Sequence, residues 1–170
     1  MSSEPVTLQE LLDSRERRVQ KQKSLLSQYE GVLISVTLNI PGPVKDKPAY
    51  RKALQAAMEL LAERFAGDPI IYKEVRYLKT GAEGYFVAVG AKPEEVKTLT
   101  VEIEDGTPLG RLFDMDVLTE KGSISRSDLG KPGRRCLLCD EDAKVCARSQ
   151  RHPMELLLAE IDRILEETVF

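Results

Sequence analysis

Two aspartates one residue apart, Asp114 and Asp116, stand in the apolar run "LGRLFDMDVL". On a strand, alternation puts both carboxylates on one face and Phe113, Met115 and Val117 on the other. Paired carboxylates repel unless solvent or a cation separates them. Mg²⁺ suits such a pair, because it takes hard oxygen ligands and keeps positions for water and phosphate. Glu102 and Glu104 repeat the spacing in "LTVEIED", read as the preceding strand, and a hairpin through residues 105–110 would bring one of them in as a third Mg²⁺ ligand. The chemistry implied is metal-assisted attack at phosphorus. A strand with a solvated polar face shows the same spacing, so the aspartates alone do not decide. Just upstream, Gly110 would let the backbone approach a ligand, and Arg111 could grip phosphate.

A second cluster follows. Cys136, Cys139, Cys146 and His152 comprise every cysteine and the single histidine of the chain. Cys-x-x-Cys lets two thiolates reach one tetrahedral ion, and three sulfurs with an imidazole match structural Zn²⁺. Four ligands leave no open position, so the role would be structural. The plain reading is a packed thiol cluster with His152 near the last helix, cysteine being commonly buried. Three clustered cysteines argue against a disulfide framework, and no thioredoxin-like βαβ pattern surrounds them.

Basic residues surround both clusters. Between Arg126 and Arg151 there are seven basic and four acidic residues, with Arg134 and Arg135 directly before the first cysteine. Arg15, Arg18 and Gln22 fall on one face of the first predicted helix. Lys45 comes just after a Pro-Gly-Pro turn. Each is a candidate for anionic substrate groups, against the ordinary alternative of a solvated charge.

The elements that must position these residues follow from periodicity and punctuation. Thr7 and Glu10 form a capping-box pattern, and Leu8, Leu11, Leu12, Val19, Leu26 and Tyr29 give a helical stripe to about Tyr29. "VLISVTLNI" is a short β-rich strand. Helical spacing returns from Tyr50 to Phe65, and Gly67 ends it. "IIYKEVRYLKT" and "GYFVAVG" read as strands around a turn at residues 81–84, and "KPEEVK" as a short helical or looped connection. The "LTVEIED" and "LGRLFDMDVL" strands come next, then a polar loop over residues 119–133. A helix from Pro153 closes the chain, with Met154, Leu157, Leu158, Ile161, Ile164 and Leu165 on one face. The order α-β-α-β-β-β-β-α predicts one α/β (α+β) domain over residues 1–170. It has a mainly antiparallel mixed sheet flanked by helices and a Cys/His segment at residues 134–152.

Length and composition set limits. The 170 residues are 42% hydrophobic and 31% charged, enough for a core and unlike a disordered chain. No stretch approaches eighteen apolar residues and the first residues lack a signal-peptide core, so a cytoplasmic protein without membrane association is expected. A formal net charge of −3 argues against nucleic acid as a partner.

Taken together, "SRERRVQKQ" (residues 14–22), "PGPVKD" (41–46), "PLGRLFDMDV" (108–117), "RRCLLC" (134–139) and "CARSQRH" (146–152) resemble one family, collinear over nearly the whole chain. It is the citrate lyase holo-acyl-carrier-protein synthase family, also called apo-citrate lyase phosphoribosyl-dephospho-CoA transferase. The resemblance implies a nucleotidyltransferase-type reaction. The phosphoribosyl-dephospho-CoA part of 2′-(5″-triphosphoribosyl)-3′-dephospho-CoA would be joined to a serine of the apo acyl-carrier subunit of citrate lyase, with loss of pyrophosphate. Asp114 and Asp116 would then be catalytic and hold Mg²⁺ on the triphosphate. Arg111 and the face of Arg15, Arg18 and Gln22 become candidates for the triphosphate, Arg134 and Arg135 for phosphate or ribose, and Lys45 for binding the substrate. A nucleotidyltransferase-like fold enters only as an analogy. Such enzymes commonly carry Gly-Ser about ten residues before the aspartates, whereas Gly110 and Arg111 here nearly abut them. The alternative of another class is a zinc-stabilised, non-catalytic binding module.

Overall fold

The computed structural model describes residues 4–67 and 69–170. Its first helix, α1 (Leu8–Gln28), starts at the predicted capping box: the Glu10 N–H donates to Thr7 Oγ1 at 3.2 Å and the Thr7 N–H donates to Glu10 Oε2 at 2.8 Å. β1 (Val32–Leu38) follows, then α2 (Pro48–Arg64), begun by a proline at its first turn. β2 (Ile70–Leu78) and β3 (Gly81–Ala88) form a hairpin that turns at Lys79 and Thr80, not at residues 81–84. Gly84 therefore lies inside a strand. A Cβ there would come within 2.5 Å of Met58 Sδ, so glycine lets α2 pack directly on the sheet.

The largest departure from expectation is α3 (Pro93–Gly106), which continues from the short helical or looped connection through the stretch predicted as a strand carrying Glu102 and Glu104. Thr, Val and Ile in "LTVEIED" favour strands locally, but Pro93 at the first turn and Glu94 and Glu95 behind it start a helix. That helix buries Val96, Thr100 and Ile103, positions spaced by four and three, so packing outweighs β-propensity. A 3-10 turn at Leu109–Leu112 leads to β4 (Phe113–Thr119). Gly110 serves this junction: a Cβ on it would lie 2.2 Å from the Ile103 carbonyl oxygen, so its close approach is to α3. Within the predicted polar loop lie β5 (Gly122–Ile124) and a short 3-10 turn. The Cys/His segment contains α4 (Ala143–Ser149), and α5 (Met154–Glu167) follows.

The five strands form one sheet in the order β2-β3-β1-β4-β5, every neighbouring pair antiparallel. One face carries Ile34, Val36, Phe86, Phe113, Met115 and Val117 into the main core under α2, α3 and α5. The other face is covered by α1, through Leu25 against Leu33, Tyr85 and Val87. Of the predicted stripe of α1, Leu26 and Tyr29 pack against this cluster, but the earlier Leu8, Leu12 and Val19 do not dock. Leu8 is 73% exposed, and Leu12 and Val19 are also exposed. Ser14 and Leu25 are buried instead, and polar side chains hold the helix down. None of the described helices is long and apolar enough to cross a membrane.

Candidate functional site

Asp114 and Asp116 share the α1 face of β4, as the alternation predicts, with Phe113, Met115 and Val117 turned into the core. Across the ladder they stand opposite Thr37 and Ser35 of β1. Both hydroxyls belong to the alternating pattern of "VLISVTL", a legible signal that the sequence reading left unused. Although Asp116 is exposed along the strand, its carboxyl is raised from its usual value, first because surrounding protein desolvates it and then because Asp114 repels its charge. Lys97 and Arg134 act in the other direction. Both are already engaged, Lys97 with the Met115 carbonyl at 3.0 Å and Arg134 with Glu104 at 2.6 Å.

Those engagements arise because β5 pairs only with Val117–Thr119, leaving the outer edge of β4 beyond it without a strand partner among the described residues. Side chains satisfy that backbone instead. The Met115 N–H donates to Glu104 Oε1 at 2.8 Å, Lys97 donates to the Met115 carbonyl, and Arg134 donates to the Phe113 carbonyl. Glu104 is 2% exposed and also pairs with Arg126 at 2.7 Å. The predicted hairpin placing Glu102 and Glu104 beside the aspartates therefore does not form. Glu102 faces solvent and Arg64, 3.4 Å away, on α3, while Glu104 is a buried brace below the site. Arg126, grouped by sequence with the candidates for anionic substrate groups, is instead half of that brace, paired with Glu104 and Asp105.

Above the sheet, α1 brings its cations to the aspartates. Arg18 Nε donates to Glu83 Oε1 at 3.1 Å, the Tyr85 hydroxyl donates to Glu83 Oε2 at 2.9 Å, and Gln22 donates to Ser35 Oγ at 2.9 Å. Burial, with the adjoining Glu83 charge, raises the Tyr85 phenol, which stays a donor. Arg15, Arg18, Lys45, Thr37, Asn39 and Asp114 line one cleft of about 250 Å³. Burial lowers the Lys45 ammonium below its usual range and the Arg15 charge lowers it further, so an anion between them would relieve both. The structure thus places Arg15, Arg18, Gln22 and Lys45 on the aspartates' side of the sheet, although they come from two distant stretches of sequence.

Arg111 points elsewhere. Its guanidinium donates to the carbonyls of Cys136, at 2.6 Å, and Arg135, at 3.3 Å, and so holds the cysteine loop. Arg134 reaches to within 3.6 Å of Asp114, whereas Arg135 is 76% exposed and 3.9 Å from Asp140. Arg111, Arg126, Arg134 and Arg135 line a second cleft of about 360 Å³ with Glu104 and Asp105.

The cysteine loop gathers all four of its predicted ligands. One ligand atom from each of Cys136, Cys139, Cys146 and His152 lies within 4.8 Å of the others, a Cys₃His set that could hold a metal ion. Cys139 Sγ is 3.5 Å from Cys146 Sγ and 3.3 Å from His152 Nε2. The backbone supports the cluster, since the Cys136 N–H donates to the Glu141 carbonyl at 2.7 Å and the Leu138 N–H reaches Cys136 Sγ at 3.5 Å. Burial pushes the Cys136 thiol up, but the Leu138 and Cys139 amides and the neighbouring thiols outweigh it and lower the net value. Cys146, desolvated and beside two other sulfurs, is pushed up to about 11.

Comparison with known proteins agrees with this collinear set of motifs. Residues 6–168 match the family described as apo-citrate lyase phosphoribosyl-dephospho-CoA transferase. A relative from Escherichia coli O1:K1 / APEC with that name is 37% identical over 170 residues, covering 98% of this chain and 92% of its own. One from Streptococcus pyogenes serotype M18 (strain MGAS8232), named a probable enzyme of this kind, is 36% identical over 169 residues, covering 96% of this chain and 88% of its own.

Proposed function

Because the chain belongs to the apo-citrate lyase phosphoribosyl-dephospho-CoA transferase family, we propose that the cleft between α1 and the β1–β4 ladder is where it transfers that group to a serine of the apo acyl-carrier subunit of citrate lyase. The donor is 2′-(5″-triphosphoribosyl)-3′-dephospho-CoA. The observation that carries this reading is the meeting of Asp114, whose partner Asp116 follows on the same strand face, with Arg15, Arg18 and Lys45 in one cleft.

The serine Oγ bonds to the α-phosphorus as the bond to the bridging β-phosphate oxygen breaks, and pyrophosphate leaves. The serine proton passes to a carboxylate or to water. Arg15 and Lys45 bind the departing phosphates, and Arg18, oriented by Glu83, adds a third positive charge. Arg134 lies where it can take a phosphate or ribose oxygen beside Asp114. The residues fit a hard divalent cation, since two carboxylates share one face of β4, and desolvation and then the Asp114 charge raise the Asp116 pKa. Mg²⁺ held by Asp114 and Asp116 would neutralise charge developing on the phosphate oxygens. The Cys₃His set likewise fits Zn²⁺, which would lock the loop that carries Arg134.

The test is pyrophosphate release from the triphosphate donor in the presence of apo acyl carrier. Asp114→Ala and Asp116→Ala should each reduce the rate by about a hundredfold or more while the chain stays folded, as for loss of a preorganised electrostatic contact. Near-normal rates in both would remove the metal role of the aspartates.

A further inference from the structure

The charged cleft, at about 250 Å³, accounts for only the polyphosphate end of such a donor. A larger groove of about 540 Å³ lies between the cysteine loop and α5, within the ~300–1,000 Å³ range of small-molecule sites. Its walls are Leu137, Ala147, Met154, Leu157 and Ile161, and among the described residues no carboxylate, lysine or arginine lines it. Asn39 lines both the groove and the charged cleft, so a ligand whose phosphates occupy the cleft continues past Asn39 onto an apolar surface. In a triphosphoribosyl-dephospho-CoA donor, the first apolar moiety beyond the triphosphate and its ribose is the adenosine.

Two side chains at the groove suit adenine in particular. Asn39 and Gln150 each present a carboxamide, which can accept from the N6 amino group and donate to a ring nitrogen. Gln150 is also the one non-glycine residue with a positive φ among the described residues, at 47°. It caps α4 in a left-handed conformation that glycine adopts without a steric penalty. A bulkier residue at such a position is a place to look for function. We propose that this groove holds the adenine ring of the CoA-derived donor between aliphatic side chains, with the Gln150 carboxamide reading the adenine edge. The assignment rests on the transfer reaction proposed above and adds to it a base-binding subsite walled by the Cys/His cluster.

The experiment uses the full chain with two variants and three probes, dephospho-CoA, its hypoxanthine analogue and inorganic tripolyphosphate. Ala147 is exposed on α4, so Ala147→Trp fills the groove without removing core contacts. It should weaken dephospho-CoA binding by about tenfold or more and leave tripolyphosphate binding within about twofold. Gln150→Gly keeps the helix cap and removes only the carboxamide. It should melt at or above the wild-type temperature, yet lose about tenfold of the preference for adenine over hypoxanthine in dephospho-CoA. Unchanged dephospho-CoA affinity in Ala147→Trp, or unchanged base preference in Gln150→Gly, overturns the assignment even where wild-type transfer is intact. A wild-type chain that performs no transfer but loses dephospho-CoA affinity on Ala147→Trp overturns the reaction and keeps the subsite.

Discussion

Replacing Glu104 by alanine tests whether the brace beneath the aspartates holds the site. The carboxylate is 2% exposed and satisfies three groups at once: the Met115 N–H at 2.8 Å, Arg126 at 2.7 Å and Arg134 at 2.6 Å. Its removal leaves the Met115 N–H without an acceptor, which costs about 1–3 kcal/mol. It also breaks a buried ion pair, for which losses of about 3–5 kcal/mol are typical when one partner is removed. The arginines soften this, because Arg126 keeps two contacts to Asp105 at 3.0 Å and Arg134 keeps the Phe113 carbonyl. The expected loss in urea unfolding is therefore near the lower bound, about 3 kcal/mol. For a chain of this size that corresponds to a fall in Tm of about 6–12 °C. Glu104→Gln retains an acceptor for Met115 but not the charge, and should lose about 1–3 kcal/mol. Released from Glu104, Arg134 has Asp114 as its nearest carboxylate, so the Mg²⁺ concentration for half-maximal transfer should rise as well. An alanine variant within about 1 kcal/mol of wild type, with an unchanged Mg²⁺ requirement, would refute the brace.

The carboxylate pair makes a prediction about pH. Because the folded-state pKa of Asp116 is raised above 3.8, its stabilising contribution is present at lower pH and is lost as pH rises through the folded value. Asp116→Asn should therefore melt higher than wild type at neutral pH, with the difference shrinking toward pH ~3, while transfer falls by about a hundredfold or more; a difference in Tm independent of pH would contradict that origin. For the cysteine loop, metal analysis of freshly purified protein should find about one Zn²⁺ per chain, and Cys139→Ser should lose it together with stability. Substoichiometric zinc and an unchanged urea midpoint after chelation would instead identify a packed thiol cluster.

Local patterns in the chain were enough for the chemistry-bearing pieces and most elements. Alternation in "LFDMDVL" put Asp114 and Asp116 on one face because a strand repeats every two residues whatever surrounds it. The capping box at Thr7 and Glu10 and the compact Cys/His spacing were legible for the same reason, since each depends on neighbours only a few residues away. What the tertiary structure alone decided lies where long-range packing overrode or completed those patterns. "LTVEIED" is β-prone in isolation, yet it becomes a helix because Val96, Thr100 and Ile103 bury against the sheet, and that moves Glu104 from candidate ligand to brace. The face by which α1 docks was set by Leu25 burying against Leu33 and Tyr85 together with Arg18 finding Glu83 and Lys21 finding Glu74, more than fifty positions away, and not by Leu8, Leu12 and Val19, which look apolar on a helical wheel. The meeting of Arg15, Lys45 and Asp114 in one cleft follows from sheet order, which places β4 beside β1 and α1 above both. Such pairings depend on which surfaces can be buried together, a property of the folded chain and not of any short stretch of it.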